Sequence, residues 1–273
     1  MIQIKIILMI KNLEEISLIK ESSQLVSKML GMLALEISPG RDTLYLDKLA
    51  EEFIRDNGGI PAFVGLYNFP NTLCISTNEQ IVHGIPDHKP LYEGDIVSID
   101  CGVLTNGYYG DVAYTFKVGD VDPTIKKLLE VTKRSLYIGL ASCKRGSHIG
   151  DIGNKIQNYV EEKGYGVVRE LMGHGLGKKI HEEPIIPNYG RKGLGKELVE
   201  GMVLSIEPMI NHLTHRIKFH KDEWTVTTFD KQLSAHFEHN IAIINERTVL
   251  LSTYQYIYDS LGIKSKEEEP FIF

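Results

Sequence analysis

The chain has 273 residues, of which 42% are hydrophobic and 24% charged, so it has enough apolar material for a full core and is not a disordered chain. Thirty basic and 36 acidic residues give a net charge of −6, which excludes the basic footprint of a protein that recognises nucleic acid. The three scattered cysteines argue against a disulfide framework or a thiolate zinc site and indicate a reducing compartment, which we take to be the cytoplasm.

The apolar stretch at the start of the chain, Ile6 to Ile10, is far shorter than the roughly 20 residues that a membrane-spanning helix needs. No small-residue cleavage site follows it, so we expect no signal peptide. We interpret this segment as a buried strand or a slightly extended N-terminus, and we predict no membrane partner.

Apolar residues at helical spacing predict a first helix across residues 12–36. Thr43 is the expected N-cap of a second helix, and Asp122, followed by proline, is that of a third. A fourth helix is predicted to start after Ser147 and to end at Gly164. The remaining segments have the composition of strands and turns, so the chain has the elements of an α+β protein.

The order helix, helix, strands occurs twice along the chain, and repeats of this kind indicate related halves. Two glycines recur after a shift of 106 positions, Gly40 and Gly58 as Gly146 and Gly164. No long Ser/Pro linker divides the chain. We therefore predict a single catalytic domain over residues 1–273, with related halves at about 12–118 and 122–250.

Asn106-Gly107, between two apolar runs, predicts a β-hairpin with a two-residue turn. That turn pairs Gly102 with Asp111 and puts Asp100 and Asp111 on one face of the sheet, roughly 7 Å or less apart at Cβ. Two acids in such apolar strands are costly unless a cation lies between them. The alternative is a solvated hairpin with ordinary surface acids.

Two more acids and one histidine have similar settings. Glu207 lies in an apolar run before a proline, one position from the point that the 106-residue shift assigns to Asp100, and Glu238 lies in another apolar run. His174 is flanked by two glycines, which permit close approach of the backbone. Taken singly, each glutamate could be a rim residue, and His174 a turn residue.

Four carboxylates and one imidazole suit Mn, Fe, Co or Zn in a catalytic site. Four negative charges are neutralised by two divalent ions rather than one, and such pairs activate water for hydrolysis. We therefore predict metal-assisted hydrolysis. His83 and His181 are not needed as ligands and are free to hydrogen-bond a substrate amide and the developing oxyanion.

A competing histidine cluster has a spacing that could chelate a metal but lacks a nearby acid, and we interpret it as a solvated loop: His212, His215 and His220. Four other histidines receive no functional assignment: His88, His148, His236 and His239.

The chain resembles the type 1 methionine aminopeptidases in the identity and order of its motifs. These motifs are HGIP, SIDCGV, YYGDVAYTF, GHGLG, HEEP, SIEPMI and FEHNIAI, and the resemblance covers nearly the whole chain from about Met9. It implies the pita-bread fold, in which two pseudo-symmetric halves have curved antiparallel sheets covered by helices. It also implies removal of the initiator methionine from nascent chains with a small second residue.

Residue roles follow from the same resemblance. Asp100 would bind one ion, Asp111 and Glu238 would bridge both, and His174 and Glu207 would complete the second. Glu207 would also be the proton shuttle, while His83 and His181 would contact the scissile amide and its carbonyl. The methionine pocket would be lined by Phe63, Phe69, Cys74, Ile180 and Trp224.

The implied cofactors are two divalent ions, drawn from Co, Mn, Fe, Zn and Ni. The implied partners are the N-termini of nascent chains at the ribosome. The resemblance also implies a cytoplasmic monomer of the short bacterial or organellar form. Two departures stand out: the loop GLYNFP at residues 65–70 replaces a Gly- and Tyr-rich loop, and residues 1–8 resemble an extension. The rival functions are a proline-specific peptidase of the same fold, which usually carries a further N-terminal domain, and a metal-free binding protein, which typically lacks the ligands.

Overall fold

The computed structural model describes residues 10–266, Glu268 and Phe271, so the expected extension at residues 1–8 lies outside the described residues. Within that part of the chain, no helix combines the length and apolarity needed to cross a membrane. The helices are α1 (Leu13–Leu33), α2 (Thr43–Asp56), α3 (Pro123–Leu140), α4 (Ile149–Glu162) and α5 (Gln255–Leu261).

The strands pair with one another in antiparallel fashion. They are β1 (Ile60–Pro61), β2 (Cys74–Thr77), β3 (Gln80–Val82), β4 (Ile96–Thr105), β5 (Tyr108–Lys117), β6 (Gly166–Val167), β7 (Gly173–Gly175), β8 (Glu182–Ile186), β9 (Val203–Ile206), β10 (Met209–Asn211), β11 (Ile217–Phe219), β12 (Val226–Thr228), β13 (Ser234–His236), β14 (His239–Ile244) and β15 (Arg247–Leu250).

Side-chain caps fix the starts of three helices. Asn12 begins α1 with a capping box, and Asp122 caps α3 ahead of a proline, as predicted. The prediction for α2 was wrong by one residue, because the N-cap is Asp42 rather than Thr43. The Asp42 carboxylate accepts the backbone N–H of Tyr45 at 2.7 Å, whereas the Thr43 hydroxyl is directed to the carbonyl oxygen of Asp87.

The two-fold repeat of the sequence has a structural counterpart. Both boundaries of α4 fall 106 positions after the corresponding boundaries of α2. Gly40 and Gly146, which precede these helices, have φ values of +89° and +83°, and Gly58 and Gly164, which follow them, have +76° and +83°. Each pair of glycines therefore adopts the left-handed conformation that turns the chain in the same way.

Strands β4 and β5 form the predicted hairpin, with Gly102 opposite Asp111 and Thr105 opposite Tyr108. Strand β5 pairs along the whole of β4, while β1 and β2 pair with different stretches of it. A five-stranded sheet has the order β15-β14-β9-β7-β8, and two three-stranded sheets have the orders β13-β10-β6 and β11-β12-β3. The register predicted for the β4–β5 hairpin is therefore confirmed.

Two acidic residues lie where the chain passes from one sheet to another. Glu207 follows β9 of the five-stranded sheet and precedes β10 of a three-stranded sheet. Glu238 lies between β13 of that three-stranded sheet and β14 of the five-stranded sheet. Pro208 cannot donate a ladder hydrogen bond, which favours a break in pairing at the first of these junctions.

Helix α1 packs closely on β5 through small residues. Ser22, Ser23 and Ser27 of the helix are fully buried. A Cβ atom on Gly110 of β5 would lie only 2.3 Å from the backbone nitrogen of Ser23, so the two backbones leave no room for a side chain. This contact brings Ser23 close to the strands that carry the candidate site residues.

The C-terminal segment differs from the strands and turns that its composition predicts. The structure has helix α5, which is followed by Gly262 with φ +64°. Glu268, within the polar sequence KSKEEEP, is only 7% exposed and accepts the backbone N–H of Tyr254 at 2.6 Å. Its carboxylate also lies 3.4 Å from the ring of His239. Tertiary packing therefore decides the structure of this segment, rather than its local composition.

We predict that Gly110→Ala destabilises the fold by about 1–3 kcal/mol, because the added methyl group forces α1 away from β5. Urea unfolding would measure the loss. An Ala substitution at Lys117, the exposed last residue of β5, serves as the control for a change in the same strand pair. An unchanged midpoint for Gly110→Ala would contradict the close packing.

Candidate metal centre

Five side chains converge from four places in the fold. Asp100 and Asp111 project from the hairpin β4–β5, His174 from β7, and Glu207 and Glu238 from the sheet junctions. Among the described residues, three overlapping groups have ligand atoms within 4.8 Å of one another: Asp100, Asp111 and Glu238; His174, Glu207 and Glu238; Asp111, His174 and His181. The predicted set is therefore brought together, with His181 at its edge.

His174 is oriented as a metal-binding imidazole would be. Its Nδ1–H group donates to the carbonyl oxygen of Gly175 at 2.9 Å, so the lone pair is on Nε2. Nε2 lies 3.6 Å from Glu207 Oε1 and 3.8 Å from Asp111 Oδ2. Because all three atoms are acceptors, a cation between them fits the arrangement better than a hydrogen bond does.

The glycines beside His174 are required by strand packing. A Cβ on Gly173 would lie 2.3 Å from the carbonyl oxygen of Ser205 in β9, and one on Gly175 would lie 2.2 Å from that of Glu183 in β8. The expected close approach is thus confirmed.

Hydrogen bonds from the surrounding structure hold the carboxylate of Glu238 and the backbone of Asp111 and Glu238. The Ser205 hydroxyl donates to Glu238 Oε1. Asn240 Oδ1 accepts the backbone N–H of Asp111 and the hydroxyl of Ser23 in α1, both at 2.8 Å. The backbone N–H of Glu238 donates to the Tyr254 hydroxyl at 2.9 Å. The acids are consequently held in place by the fold before any ion arrives.

Burial makes the carboxylates reluctant to ionise. It raises the pKa of Asp100 to about 6 and moves the pKa of Glu207 well above its ordinary value, with the charge of Asp100 adding to the effect on Glu207. Burial, together with the charges of the neighbouring acids, likewise raises the pKa of Asp111 and of Glu238. Bound cations would reverse these shifts.

Two of these acids each have a buried oxygen without a hydrogen-bond partner, Asp100 Oδ1 and Asp111 Oδ1. Unpaired buried oxygens of this kind are rare in folded proteins and call for an explanation. Together with the set of oxygen and imidazole donors, they fit divalent metal ions. The residues present therefore suit the cofactor that the sequence predicts.

His83 and His181 lie at the edge of the cluster. The rings of His174 and His181 are 4.5 Å apart at an angle of 84°. Burial, followed by the neighbouring imidazoles of His236 and His181, lowers the pKa of His83 to about 4. His83 is therefore neutral near pH 7, so one of its ring nitrogens carries a proton and the other a lone pair. These side chains are suited to hydrogen bonding with a substrate.

A cavity of about 390 Å³ opens beside the cluster. Of the predicted pocket residues, four line it: Phe63, Phe69, Cys74 and Trp224. Phe69 packs edge-on against Trp224 with ring centroids 5.0 Å apart. The fifth, Ile180, is buried in one apolar cluster with Phe63, Phe69 and Cys74. It packs against Gly102 and does not line the cavity. Further lining residues that the sequence analysis missed include Leu66, Tyr67, Val82, Leu171, Met172, Ile185 and Met209.

The loop at residues 65–70 borders this cavity in a strained conformation. Tyr67 and Asn68 both have positive φ, at 49° and 68°, in a backbone region that residues other than glycine rarely occupy. Tyr67 lines the cavity and is 74% exposed. The departure noted in the sequence thus falls at the mouth of the cavity.

One histidine at the centre received no assignment from the sequence. Nε2 of His236 lies 3.6 Å from Glu207 Oε2. Its position two residues before Glu238 in the same apolar run was the available clue. In contrast, the competing cluster does not gather: none of His212, His215 and His220 belongs to a possible metal-holding group in the described part of the chain.

We expect the protein without metal to lose stability as pH rises. The raised pKa of Asp100 stabilises the fold below its unfolded value near 3.8, and that contribution is lost as pH rises through about 6. Mn²⁺ binds the ionised form, so the increase in Tm that Mn²⁺ causes should be larger at pH 7.5 than at pH 5. Calorimetry of chelator-treated protein, with and without Mn²⁺, measures this.

Asp42→Asn is a suitable control, since this half-buried cap carboxylate lies outside the cluster. An Mn²⁺ effect of equal size at both pH values would contradict the assignment of the buried acids as its binding site.

Comparison with known proteins agrees with this geometry. The model of metallopeptidase family M24 matches residues 17–245. A methionine aminopeptidase of Clostridium perfringens is 46% identical over 87% of this chain and 95% of its own length. Methionine aminopeptidase 1 of Bacillus subtilis is 46% identical over 85% of this chain and 94% of its own.

Solved structures give the same result. The crystal structure of methionine aminopeptidase from Rickettsia prowazekii has a TM-score of 0.88, 39% identity, and coverage of 89% of this chain and 99% of that one. Prolidase from Pyrococcus furiosus has a TM-score of 0.76 and 26% identity, but the match covers only 67% of that longer chain. These likenesses confirm the predicted α+β pita-bread fold, and the chain belongs to metallopeptidase family M24, among its methionine aminopeptidases.

Proposed function

We propose that the chain is a metal-dependent methionyl aminopeptidase, a hydrolase that removes the N-terminal methionine from polypeptides with a small second residue. The observation that carries this proposal is the cluster of Asp, Glu and His side chains at the edge of an apolar cavity. The full-length similarity to methionine aminopeptidases supports the choice of substrate.

The family implies divalent metal ions, and we propose that two are bound. Asp100 would hold one ion, His174 and Glu207 the other, and Asp111 and Glu238 both. Four carboxylates favour this number, since a single divalent ion would leave two buried negative charges. When bound, such ions polarise the scissile carbonyl group and lower the pKa of the attacking water.

The side chains around the ions would manage the protons and the substrate. Glu207 would accept a proton from the attacking water and deliver it to the departing amine, because its carboxylate, 14% exposed, borders the cavity. The His83 ring would hydrogen-bond the scissile amide. His181, which is exposed at the cavity rim, would donate to the carbonyl oxygen as negative charge develops there.

The cavity suits the methionine side chain. Away from the acids and histidines of the candidate metal centre, its lining is aromatic and aliphatic apart from Cys74, Glu170 and Gly173. A flexible thioether packs well against aromatic rings. Burial holds the pKa of Cys74 well above the ordinary thiol value, so this residue is an uncharged part of the wall.

We further infer that the protein acts on nascent polypeptides in the cytoplasm, at the ribosome and as a monomer. The three cysteines are buried and free, which fits a reducing compartment. The N-terminus of a nascent chain is the substrate that this activity requires.

The deciding experiment assays metal-free protein, with and without Mn²⁺, Fe²⁺ or Co²⁺, on Met-Ala-Ser and on an Ala-Pro peptide. We expect methionine release from Met-Ala-Ser only when metal is present. Cleavage of the Ala-Pro peptide instead would favour a proline-specific peptidase. Metal binding without cleavage of either peptide would favour a binding protein.

Asp111→Asn should abolish methionine release while leaving the fold largely intact. The substitution removes a charge from the centre of the cluster but keeps the volume of the side chain and its backbone hydrogen bond to Asn240. Peptide turnover at saturating Mn²⁺, with circular dichroism as the check on folding, measures both effects. Retained turnover would contradict a bridging role for Asp111.

Gly102→Ala should raise KM for Met-Ala-Ser by about tenfold or more, with Mn²⁺ affinity unchanged, since ~1.4 kcal/mol of lost substrate contact is tenfold in binding. The added methyl group would lie 2.5 Å from Ile180 Cδ1 and 2.9 Å from Phe63 Cε1, which pushes Phe63 toward the cavity. The double variant Gly102→Ala/Ile180→Val, which removes the first clash, should recover part of the loss. An unaltered KM in Gly102→Ala would argue against this cavity as the methionine pocket.

A further inference from the structure

His236 is a buried polar side chain at the candidate metal centre that the roles above leave unused. It is 1% exposed, and neither Nδ1 nor Nε2 has a hydrogen-bond partner within the described part of the protein. A buried imidazole with no partner for its N–H is unfavourable. Such a costly side chain in a tightly packed core indicates a functional role for the imidazole.

The surrounding strands hold the backbone of His236 in place. Its backbone N–H donates to Thr115 Oγ1 at 2.9 Å, and the Thr115 hydroxyl donates to its carbonyl oxygen at 2.7 Å. Ser98 Oγ lies 2.8 Å from the same Thr115 oxygen. These bonds tie β13 to β4 and β5, and the tight packing around the buried ring limits its freedom to turn away from Glu207.

The two oxygens of Glu207 lie between two imidazoles. Oε1 is 3.6 Å from Nε2 of His174, whose Nδ1–H is already bonded, so this side has only acceptors and suits an ion. Oε2 is 3.6 Å from Nε2 of His236. His236 belongs to none of the three-ligand groups among the described residues, so a hydrogen bond explains its position better than metal binding does.

We propose that His236 is the positioning residue of Glu207: its Nε2–H donates to Glu207 Oε2 and so directs Oε1 toward the metal ions and the attacking water. The present separation exceeds a hydrogen bond slightly, and catalytic hydrogen bonds often tighten only when the site is loaded. Partners that orient a ligand in this way strongly affect metal affinity and activity. This inference rests on the proposed function.

The test compares His236→Gln, which keeps an N–H donor, with His236→Leu, which keeps the apolar bulk and has no donor. Mn²⁺ affinity of metal-free protein is measured by calorimetry, and kcat and KM are measured on Met-Ala-Ser at saturating Mn²⁺. We expect His236→Leu to weaken Mn²⁺ binding by about 10–100-fold and to lower kcat with little change in KM. His236→Gln should stay within about threefold of the unaltered protein in both.

Two results would overturn the proposal. Unchanged Mn²⁺ affinity and kcat in His236→Leu would show that no important hydrogen bond is present. A loss of equal size in folded His236→Gln would show that the imidazole itself is needed, as it would be for a metal ligand. If the unaltered protein bound no metal and released no methionine, the proposed function would fail instead, so the two failures are distinguishable.

If His236→Leu does not fold, nuclear magnetic resonance of zinc-loaded protein with ¹⁵N-labelled histidine rings decides the question. We expect the Nε2–H form of His236, with a proton resonance that is protected from exchange and shifts in Glu207→Ala. The Nδ1–H form, or a resonance that Glu207→Ala leaves unchanged, would contradict the proposal.

Discussion

Four carboxylates share one buried space, and their mutual repulsion is the constraint around which the fold is arranged. Burial alone raises the pKa of each acid, and neighbouring charges add to the shift at three of them. The protein counters this cost with fixed dipoles, such as the Ser205 hydroxyl on Glu238. Fixed dipoles cannot supply a net positive charge, so the acids can all be ionised together only when cations bind between them.

The four acids occupy two kinds of position in the fold. Asp100 and Asp111 are on paired strands whose register is set by a two-residue turn, so their spacing is nearly rigid. Glu207 and Glu238 lie outside the strand ladders, at junctions between sheets. Residues at such junctions can turn their side chains inward without breaking the pairing of either sheet. Helix α1 reaches the cluster through Ser23 and Asn240, which links core packing directly to the site.

The sequence predicted well whatever depends on local rules. The Asn106-Gly107 turn determines the hairpin register, and therefore the common face of Asp100 and Asp111. Helix starts followed from caps, with an error of one residue at Asp42 because both Asp42 and Thr43 are good capping residues. Two helix ends were predicted too late, at residue 36 and at Gly164, whereas these helices end at Leu33 and Glu162. The motif resemblance named the five side chains that the structure brings together and four of the residues that line the cavity.

Long-range packing was the part that sequence could not supply. The place of His236 two residues before Glu238 is a weak local clue, and its contact with Glu207 depends on the pairing of β13 with β10. Ile180 is apolar and close in sequence to His181, yet which side of the cavity wall it occupies depends on Gly102 and Phe63. Helix α5 and the burial of Glu268 likewise depend on partners far away in the chain.

The proposed ligands come from both predicted halves of the chain, which has a mechanical consequence. Asp100 and Asp111 belong to the first half and His174, Glu207 and Glu238 to the second, so the ions that we propose would cross-link the two. A slight rotation of one half against the other would lengthen several coordination bonds at once. The rigidity of the packing between the two halves would therefore affect the affinity for the ions, even at residues far from the proposed ligands.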